Sequence, residues 1–169
     1  MRLPLILFAG VLLAACASYG GSALKPGAAR LEDVQAVMGP PAMRWQEPDG
    51  SVQLAYPRGP AGYHTFMVKL GPDGHLQSIA NVLEEQSFAH IRSPMTKDEV
   101  LRTLGPPDYR RSVYFKARDE LAWDWRFCQI FGNAAHFSVL FDGTTGAVRS
   151  TMMQTEYVGR AKSVVYCSR

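Results

Sequence analysis

The chain has 169 residues, of which 20% are charged and 47% hydrophobic, and its formal net charge is +3. This length suits one domain or two small ones. So small a charge, which falls to +2 without Arg2 of the leader, does not indicate a nucleic-acid-binding protein. It is compatible with contact to anionic lipid but does not require it.

Residues 1–15 differ in kind from the rest of the chain. Arg2 precedes an almost wholly apolar run at 3–13, which is too short to span a bilayer as a mature helix. The run ends in Leu13-Ala14-Ala15-Cys16, and small residues before a cysteine are typical of a bacterial lipoprotein signal. The pattern predicts cleavage between Ala15 and Cys16 and acylation of Cys16. The alternative is an ordinary secretory signal with an incidental cysteine.

Acylation of Cys16 would tether the chain to lipid without spanning the bilayer. Each buried methylene of an acyl chain contributes about 0.8 kcal/mol, so several chains (palmitate among them) would anchor it stably. Residues 16–23 form a short flexible tether that keeps the fold near the bilayer surface. Position 17 is Ala17 rather than the aspartate that resembles an inner-membrane retention signal. The expected location is therefore the outer membrane, on its periplasmic side.

Residues 24–86 are predicted to form a first unit that begins with a helix. Pro26 can occupy the first helical turn, where a missing N–H costs nothing. Gly39 ends the helix because glycine takes the left-handed position cheaply, and the following prolines prevent its continuation. The apolar positions of the helix recur at spacings of three and four: Leu31, Val34, Val37 and Met38.

Four strands are predicted to follow this helix, separated by glycine- and proline-containing turns. Their apolar residues are Met43 and Trp45, then Val52, Leu54 and Tyr56, then Phe66, Val68 and Leu70, and finally a strand over 76–83. Residues 84–93 are more polar and are predicted to be a short connector, so that the two halves form one body.

Residues 91–157 are predicted to form a second unit, and 158–169 a C-terminal tail. Thr96 and Glu99 have the spacing of a capping box, and Gly105 ends the helix that they begin. Residues 121–127 alternate strictly between apolar and other side chains, which is the strongest strand pattern in the chain. The remaining predicted strands lie around Val113 and Phe115, around Phe137, Val139 and Phe141, and over 148–157.

The two halves share one organising motif. Val34-Gln-Ala-Val-Met-Gly-Pro-Pro41 and Val100-Leu-Arg-Thr-Leu-Gly-Pro-Pro107 each end a short apolar helix, at a spacing of 66 residues. The predicted fold class is therefore α+β. It consists of two tandem units, each a short helix packed on an antiparallel meander of about three to four strands.

Cys128 and Cys167 remain as an even pair if Cys16 is acylated, and the expected compartment is oxidising. A disulfide between them would close a loop of about 40 residues, worth roughly 3–4 kcal/mol on the chain-entropy model. It would hold the segment 163–167 against the second unit as an edge strand. The alternative is two buried free thiols.

No residue pattern predicts catalysis, a metal site or a cofactor. The four histidines stand apart from any Cys, Asp or Glu at the spacing of metal ligands: His64, His75, His90 and His136. His64 and His136 occupy similar places before the third strands, which indicates a repeated pattern more than chemistry. Gly-Pro-Pro is not a phosphate loop, because proline lacks the amide donor.

Two further groups of residues have alternative interpretations. The first is the aromatic set Trp123, Trp125 and Phe127. These side chains form either the inward face of a strand or an exposed aromatic platform for a partner. Their alternation with polar residues favours the core interpretation. The most basic local stretch is an ordinary solvated face or a contact for lipid phosphate, and the first is favoured. Its residues are Arg102, Arg110, Arg111 and Lys116. The sequence names no binding residue.

The second unit combines Pro94-Met-Thr96, Glu99-Val100, Leu104-Gly-Pro-Pro107, the aromatic strand at 121–127 and Phe137-Val-Phe before a glycine turn. By this pattern the two units resemble the BamE family (SmpA/OmlA) of small outer-membrane lipoproteins. The first unit keeps Asp33-Val34 and Met38-Gly-Pro-Pro41 but lacks the threonine cap. The resemblance covers most of residues 24–157.

The resemblance implies a helix on an antiparallel sheet and a non-catalytic accessory role in assembling β-barrel outer-membrane proteins. The family's assembly factor has one such unit and this chain has two, and a tandem of this shape also resembles the β-lactamase inhibitor protein. The main hypothesis is therefore a lipoprotein that binds envelope proteins, including the barrel-assembly machinery. The alternatives are a periplasmic binder or inhibitor of an enzyme, and an enzyme.

Overall fold

A computed structural model describes residues 20–59 and 62–167, and it confirms a mixed fold of helices and antiparallel strands. The helices are α1 (Leu31–Met38), α2 (Glu85–Phe88) and α3 (Lys97–Leu104). The strands of the first half are β1 (Met43–Gln46), β2 (Val52–Pro57), β3 (Thr65–Leu70) and β4 (Leu76–Asn81). Those of the second half are β5 (Val113–Phe115), β6 (Glu120–Cys128), β7 (Ala134–Asp142), β8 (Val148–Thr155), β9 (Tyr157–Val158) and β10 (Ser163–Val164).

The strands form two four-stranded antiparallel meanders and one small hairpin. The first sheet has the order β1-β2-β3-β4 and the second has the order β5-β6-β7-β8. In the hairpin, β9 pairs with β10. Sequential order follows from the short turns, because antiparallel neighbours need only a few connecting residues. Within the described residues no helix is both long and apolar enough to cross a membrane.

The helix ends follow local chemistry, with one error in the prediction. Pro26 lies in a turn and not in the first helical turn, because α1 begins five residues later. The amide of Arg30 donates to the carboxylate of Asp33 (2.8 Å), so an acidic side chain caps this helix from its third position. Gly39 and Gly105 end α1 and α3 with positive φ of 82° and 74°, a conformation that favours glycine.

The start of α3 has the predicted capping box. The amide of Thr96 donates to Oε2 of Glu99 (2.6 Å), and the amide of Glu99 donates to Oγ1 of Thr96 (3.3 Å). Two donors that the helix cannot satisfy internally are thereby paired. The peptide bond between Ser93 and Pro94, just before this cap, is cis.

The first sheet is covered on both faces. On one face Val34 and Met38 of α1 pack among Leu54, Tyr56 and other buried residues. On the opposite face Leu101 of α3 packs against the cluster of Trp45, Ala55 and Met67. Burial of both faces explains why the middle of β2 is a continuous buried run rather than an alternating one.

Helix α3 therefore lies between the two sheets. Its Val100 and Leu104 belong to the core of the second sheet, whereas Leu101 faces the first. Polar contacts secure the same junction: Gln53 Nε2 donates to the carbonyl of Arg102 (2.5 Å), and Arg102 pairs with Glu47 and with Asp98. Val100 and Leu104 are four residues apart and share one face of the helix, whereas Leu101 follows Val100 directly and lies on another face.

The core of the second sheet is aromatic. Phe88 of α2 stacks on Phe137 with ring centroids 4.1 Å apart and meets Phe127 edge-on at 4.7 Å. Trp125 is buried and its indole N–H donates to the carbonyl of Gly105 (3.2 Å). Helix α2 lies in the connector and supplies Phe88 to this core. The sequence did not predict this helix, because a single buried Phe in a polar stretch produces no hydrophobic periodicity.

Candidate functional site

The outer face of the second sheet is the candidate site. Strand residues alternate between faces, so the side chains next to the buried tryptophans point away from α3. Within residues 20–59 and 62–167 no helix packs on this face. Cross-strand pairing places Asp124 opposite Ser138 and Arg126 opposite His136. Sequence alternation predicts which residues share the face, but not which of them are opposite one another.

One half of this face is an apolar groove of about 540 Å³. Val113 and Phe115 of the edge strand β5 are 45% and 40% exposed, and Met152 of β8 is 50% exposed. Leu140 and Ala122 line the floor between them. Large apolar side chains gathered in one groove are typical of a surface that binds a partner, whereas single exposed ones need no explanation.

The other half of the face is a polar cavity of about 760 Å³ centred on Asp124. His136 lies with Nδ1 2.7 Å from Oδ1 of Asp124, and the hydroxyl of Ser138 donates to Oδ2 (3.0 Å). Nε of Arg111 lies 3.3 Å from Oδ1. Because an ionised carboxylate only accepts, these contacts place the proton of His136 on Nδ1. Both Asp124 and His136 are buried.

A second ion pair borders this network. Nε of Arg126 donates to Oε2 of Glu156 (2.7 Å), and the guanidinium carbon of Arg126 lies 4.5 Å from the ring centre of Tyr63. Nε2 of His136 lies 3.5 Å from the same Glu156 oxygen and makes no hydrogen bond within the described residues. The network thus links the second sheet, its C-terminal segment and the turn between β2 and β3.

This arrangement is not that of a serine hydrolase. In a catalytic triad the serine hydroxyl donates to the histidine, and the histidine in turn donates to the aspartate. Here Ser138 and His136 both bind Asp124, on its two different oxygens. The network orients polar groups at the floor of a cavity. The hydroxyl of Ser138 is therefore bonded to the carboxylate of Asp124 and is not aligned with His136.

The disulfide fixes the far end of the same face. Cys128 at the end of β6 is bonded to Cys167, with Cα atoms 6.0 Å apart. The prediction that 163–167 forms an edge strand of the second unit is wrong, because β10 pairs with β9 in a separate hairpin. The tail still meets the second unit through the bridge of Tyr166 with Asn133 and through the amide of Ala134, which donates to the carbonyl of Val165 (2.7 Å). This folded tail brings Tyr157 and Lys162 to the wall of the polar cavity.

The remaining predicted residues are scattered. Cys16 and the cleavage position Ala15 lie outside the described residues. His64, His75 and His90 belong to the first half and the connector, far along the chain from the Asp124 network that His136 joins. Among the described residues no group of three or more His, Cys, Asp or Glu side chains is placed to hold a metal ion.

The basic residues serve different surfaces. Arg102 is part of the junction between the sheets, and Arg110 lies beside Asp108 at 3.3 Å. Arg111 belongs to the polar cavity, and Lys116 begins a 3-10 turn. The stretch is therefore not one basic patch. Of the aromatic strand, Trp125 and Phe127 are core residues and Trp123 is partly buried, as the core interpretation predicts.

An apolar cleft of about 460 Å³ lies between the halves, next to Pro106 and Pro107. His64 lines it, and burial lowers the pKa of this imidazole below its usual value of 6.5. Most of the exposed lining of the cleft is apolar and includes Met43, Leu83 and the two prolines, whereas Asp108 and Arg126 contribute charged groups. The cleft therefore suits apolar groups better than charged ones.

Acidic groups with shifted pKa values lie at the opposite end of the second sheet. Hydrogen bonds from Thr145 and from Arg149 hold the pKa of Asp142 at about 2. The hydroxyls of Thr144 and Tyr114 donate to Asp119 and lower the pKa of its carboxyl. The bond between Tyr114 and Asp119 also raises the pKa of Tyr114. These contacts join the β7–β8 turn to the left-handed residue before β6, and they have a structural role.

Comparison of the chain with protein-family models, with curated proteins and with solved structures finds no match.

Proposed function

We propose that this chain is a lipid-anchored protein of the outer membrane, facing the periplasm, which binds an envelope protein through the outer face of its second sheet. The observation that carries the proposal is the open face itself. The first sheet has a helix on each side, whereas the second has α3 on one side and an apolar groove beside a polar cavity on the other. Acylated Cys16 would supply the anchor, with lipid as a second partner.

We also infer that the halves are two copies of one BamE-like unit, at 24–86 and 91–157. Several features support it. Each half has an eight-residue helix that ends at a glycine with ψ near −170°. The buried residues Val34 and Met38 correspond to Val100 and Leu104 at the same spacing. The third and fourth strands of each sheet have one register shift, after Lys69 and after Leu140.

A non-catalytic role agrees with this geometry, since the polar cavity holds no aligned nucleophile and base. The resemblance to BamE makes the barrel-assembly machinery the first candidate partner. Inhibition of an enzyme through one surface spanning both sheets is less favoured, because α3 lies between the sheets and Leu101 occupies the second face of the first. We therefore propose one function.

The experiment is site-specific photo-crosslinking in intact cells. A photo-crosslinking amino acid replaces Met152 in the apolar groove, or Ala36 on the exposed side of α1 as the matched control. The expected result is a discrete adduct from position 152 that is missing from position 36, with a barrel-assembly component identified by mass spectrometry.

Other outcomes separate the parts of the proposal. An adduct with a different envelope protein would retain the binding face but remove the barrel-assembly role, as would unchanged outer-membrane protein levels in a deletion strain. Equal labelling at both positions would overturn the proposed face. Failure of radiolabelled palmitate to enter the chain, or its retention in a Cys16→Ala variant, would overturn the anchor.

A further inference from the structure

A rigid hydrophobic tip stands at one end of the molecule, at the turn between β6 and β7. Ile130 and Phe131 are adjacent there, and each is 86% exposed. Tyr166, which is 70% exposed, lies beside the turn through its bridge to Asn133. Adjacent large apolar side chains at such exposure are unusual on a soluble surface and indicate a site that meets another apolar phase.

The tip is held in place on both sides. The amide of Gly132 donates to the carbonyl of Gln129 (2.8 Å), and the amide of Cys167 donates to the carbonyl of Gly132 (2.8 Å). The disulfide between Cys128 and Cys167 lies directly behind the turn. Because the backbone is braced in this way, the two side chains cannot fold back onto the sheet without breaking these bonds.

The tip lies at the end of the molecule where the N-terminal tether arrives. Gly20 lies against Phe66, since a Cβ at that glycine would be 3.1 Å from the Phe66 ring. The Phe66 ring stacks with His64 (6.0 Å), and the neighbouring Tyr63 contacts Arg126. Arg126 stands two residues before Cys128 on β6. The tether, the turn between β2 and β3, and the tip therefore share one end, which we name the tether end.

The tether is short enough to hold this end at a membrane. Three residues lie between Cys16 and Gly20, and the four extended Cα-to-Cα steps span at most about 14 Å. If Cys16 is acylated, Gly20 must stay within roughly that distance of the bilayer surface, which brings the tether end toward the membrane. This step rests on the proposed lipid anchor.

Basic residues lie in the segments that form the tip and the neighbouring turn between β2 and β3. The segments 57–66, 125–136 and 157–167 contain four basic residues: Arg58, Arg126, Arg160 and Lys162. Acidic residues stand beside them, since Glu156 pairs with Arg126, and Glu84 and Glu85 follow β4, whose Asn81 pairs with Phe66. Basic residues around exposed aromatic and aliphatic side chains are characteristic of segments that settle at a lipid headgroup boundary.

The geometry points to a second membrane contact: the tip inserts Ile130 and Phe131 into the lipid bilayer, with Tyr166 at the headgroup level. Together with the acyl anchor, it orients the body so that the second sheet stands upright on the membrane. Strand β6 has nine residues and extends about 26 Å from Cys128 to Glu120. Phe115 pairs with Glu120 and would therefore lie about that far above Cys128. The binding groove would face sideways, parallel to the bilayer.

The experiment measures insertion depth by quenching. The full chain, purified from membranes, is reconstituted into vesicles of phosphatidylethanolamine and phosphatidylglycerol whose acyl chains are or are not brominated. A Phe131→Trp variant is compared with Phe115→Trp, an exposed phenylalanine at the other end of the same sheet. The wild-type signal is subtracted from each, because Trp45, Trp123 and Trp125 are native.

The expected result is a blue-shifted added emission from Phe131→Trp that brominated acyl chains largely quench, while the added emission of Phe115→Trp stays unquenched. Equal quenching of the two variants in chains that float with the vesicles would overturn the insertion and leave the anchor standing. A chain that does not float would overturn both. Quenching of Phe131→Trp by a soluble quencher alone would show that the tip stays in water and would overturn the lipid contact.

Discussion

The shared helix α3 makes a sharp prediction: truncation of Leu104 destabilises both sheets together. Leu104 is fully buried in the core of the second sheet, and Leu101 of the same helix packs on the first. A buried Leu→Ala change with limited relaxation costs about 3–5 kcal/mol. We therefore expect Leu104→Ala to lower the free energy of unfolding by about 4 kcal/mol, although no atom of the first sheet is changed.

Urea unfolding and amide hydrogen exchange measure this. With a denaturant slope of about 2 kcal/mol/M, the urea midpoint falls by about 2 M in a single transition. Protection of the most stable amides of β3 and β7 falls by the same free energy, because both sheets lose their shared helix. A matched control is Val158→Ala, whose side chain is 61% exposed and which should change stability by less than about 0.5 kcal/mol.

The result that would refute this reasoning is a loss of protection confined to β6 and β7. It would mean that the first sheet retains its stability without α3, and that the contacts of Leu101 and Arg102 with it contribute little. Two separate urea transitions would lead to the same conclusion, since the halves would then be independent domains.

Three further predictions concern the second half. Replacing Cys128 and Cys167 together by serine should lower stability by about 4 kcal/mol, because the bond closes a loop across a sequence separation of 39 residues; reducing agent should leave this variant unaffected. Asp124→Ala should cost about 2–3 kcal/mol in denaturant unfolding, since it leaves the buried His136 without its acceptor, and an unchanged midpoint would contradict the network. Asp142→Asn should lower stability near neutral pH and make it less sensitive to acid: the folded pKa of Asp142, about 2, lies below the ordinary 3.8, so its stabilisation is present above about pH 4 and is lost as the pH falls toward 2. Acid titration by circular dichroism should therefore show the variant and the wild type converging below pH 2, whereas parallel curves would exclude this contribution.

Local sequence patterns determined much of the chain's secondary structure. A two-residue period specifies which side chains of β6 share a face, and a glycine followed by two prolines cannot continue a helix, so the core strand and both helix ends were predictable. Pairing of Cys128 with Cys167 was open between two alternatives, because spacing carries no geometry. The start of α1 was predicted too early, since a proline is tolerated in turns as well as in first helical turns.

Only the tertiary structure decided what covers each face. Periodicity places Leu101 beside the apolar stripe of α3, but it does not predict that the first sheet packs against Leu101. The network around Asp124 depends on strand register, which sequence alternation leaves undetermined, and on a tail that returns from forty residues away. Whether a side chain is buried depends on the residues that pack around it, and many of these are distant in sequence and are brought close only when whole helices and strands pack together. For that reason the helices and strands could be predicted from the residues, whereas the open face and the exposed tip at Phe131 emerged from the assembled fold.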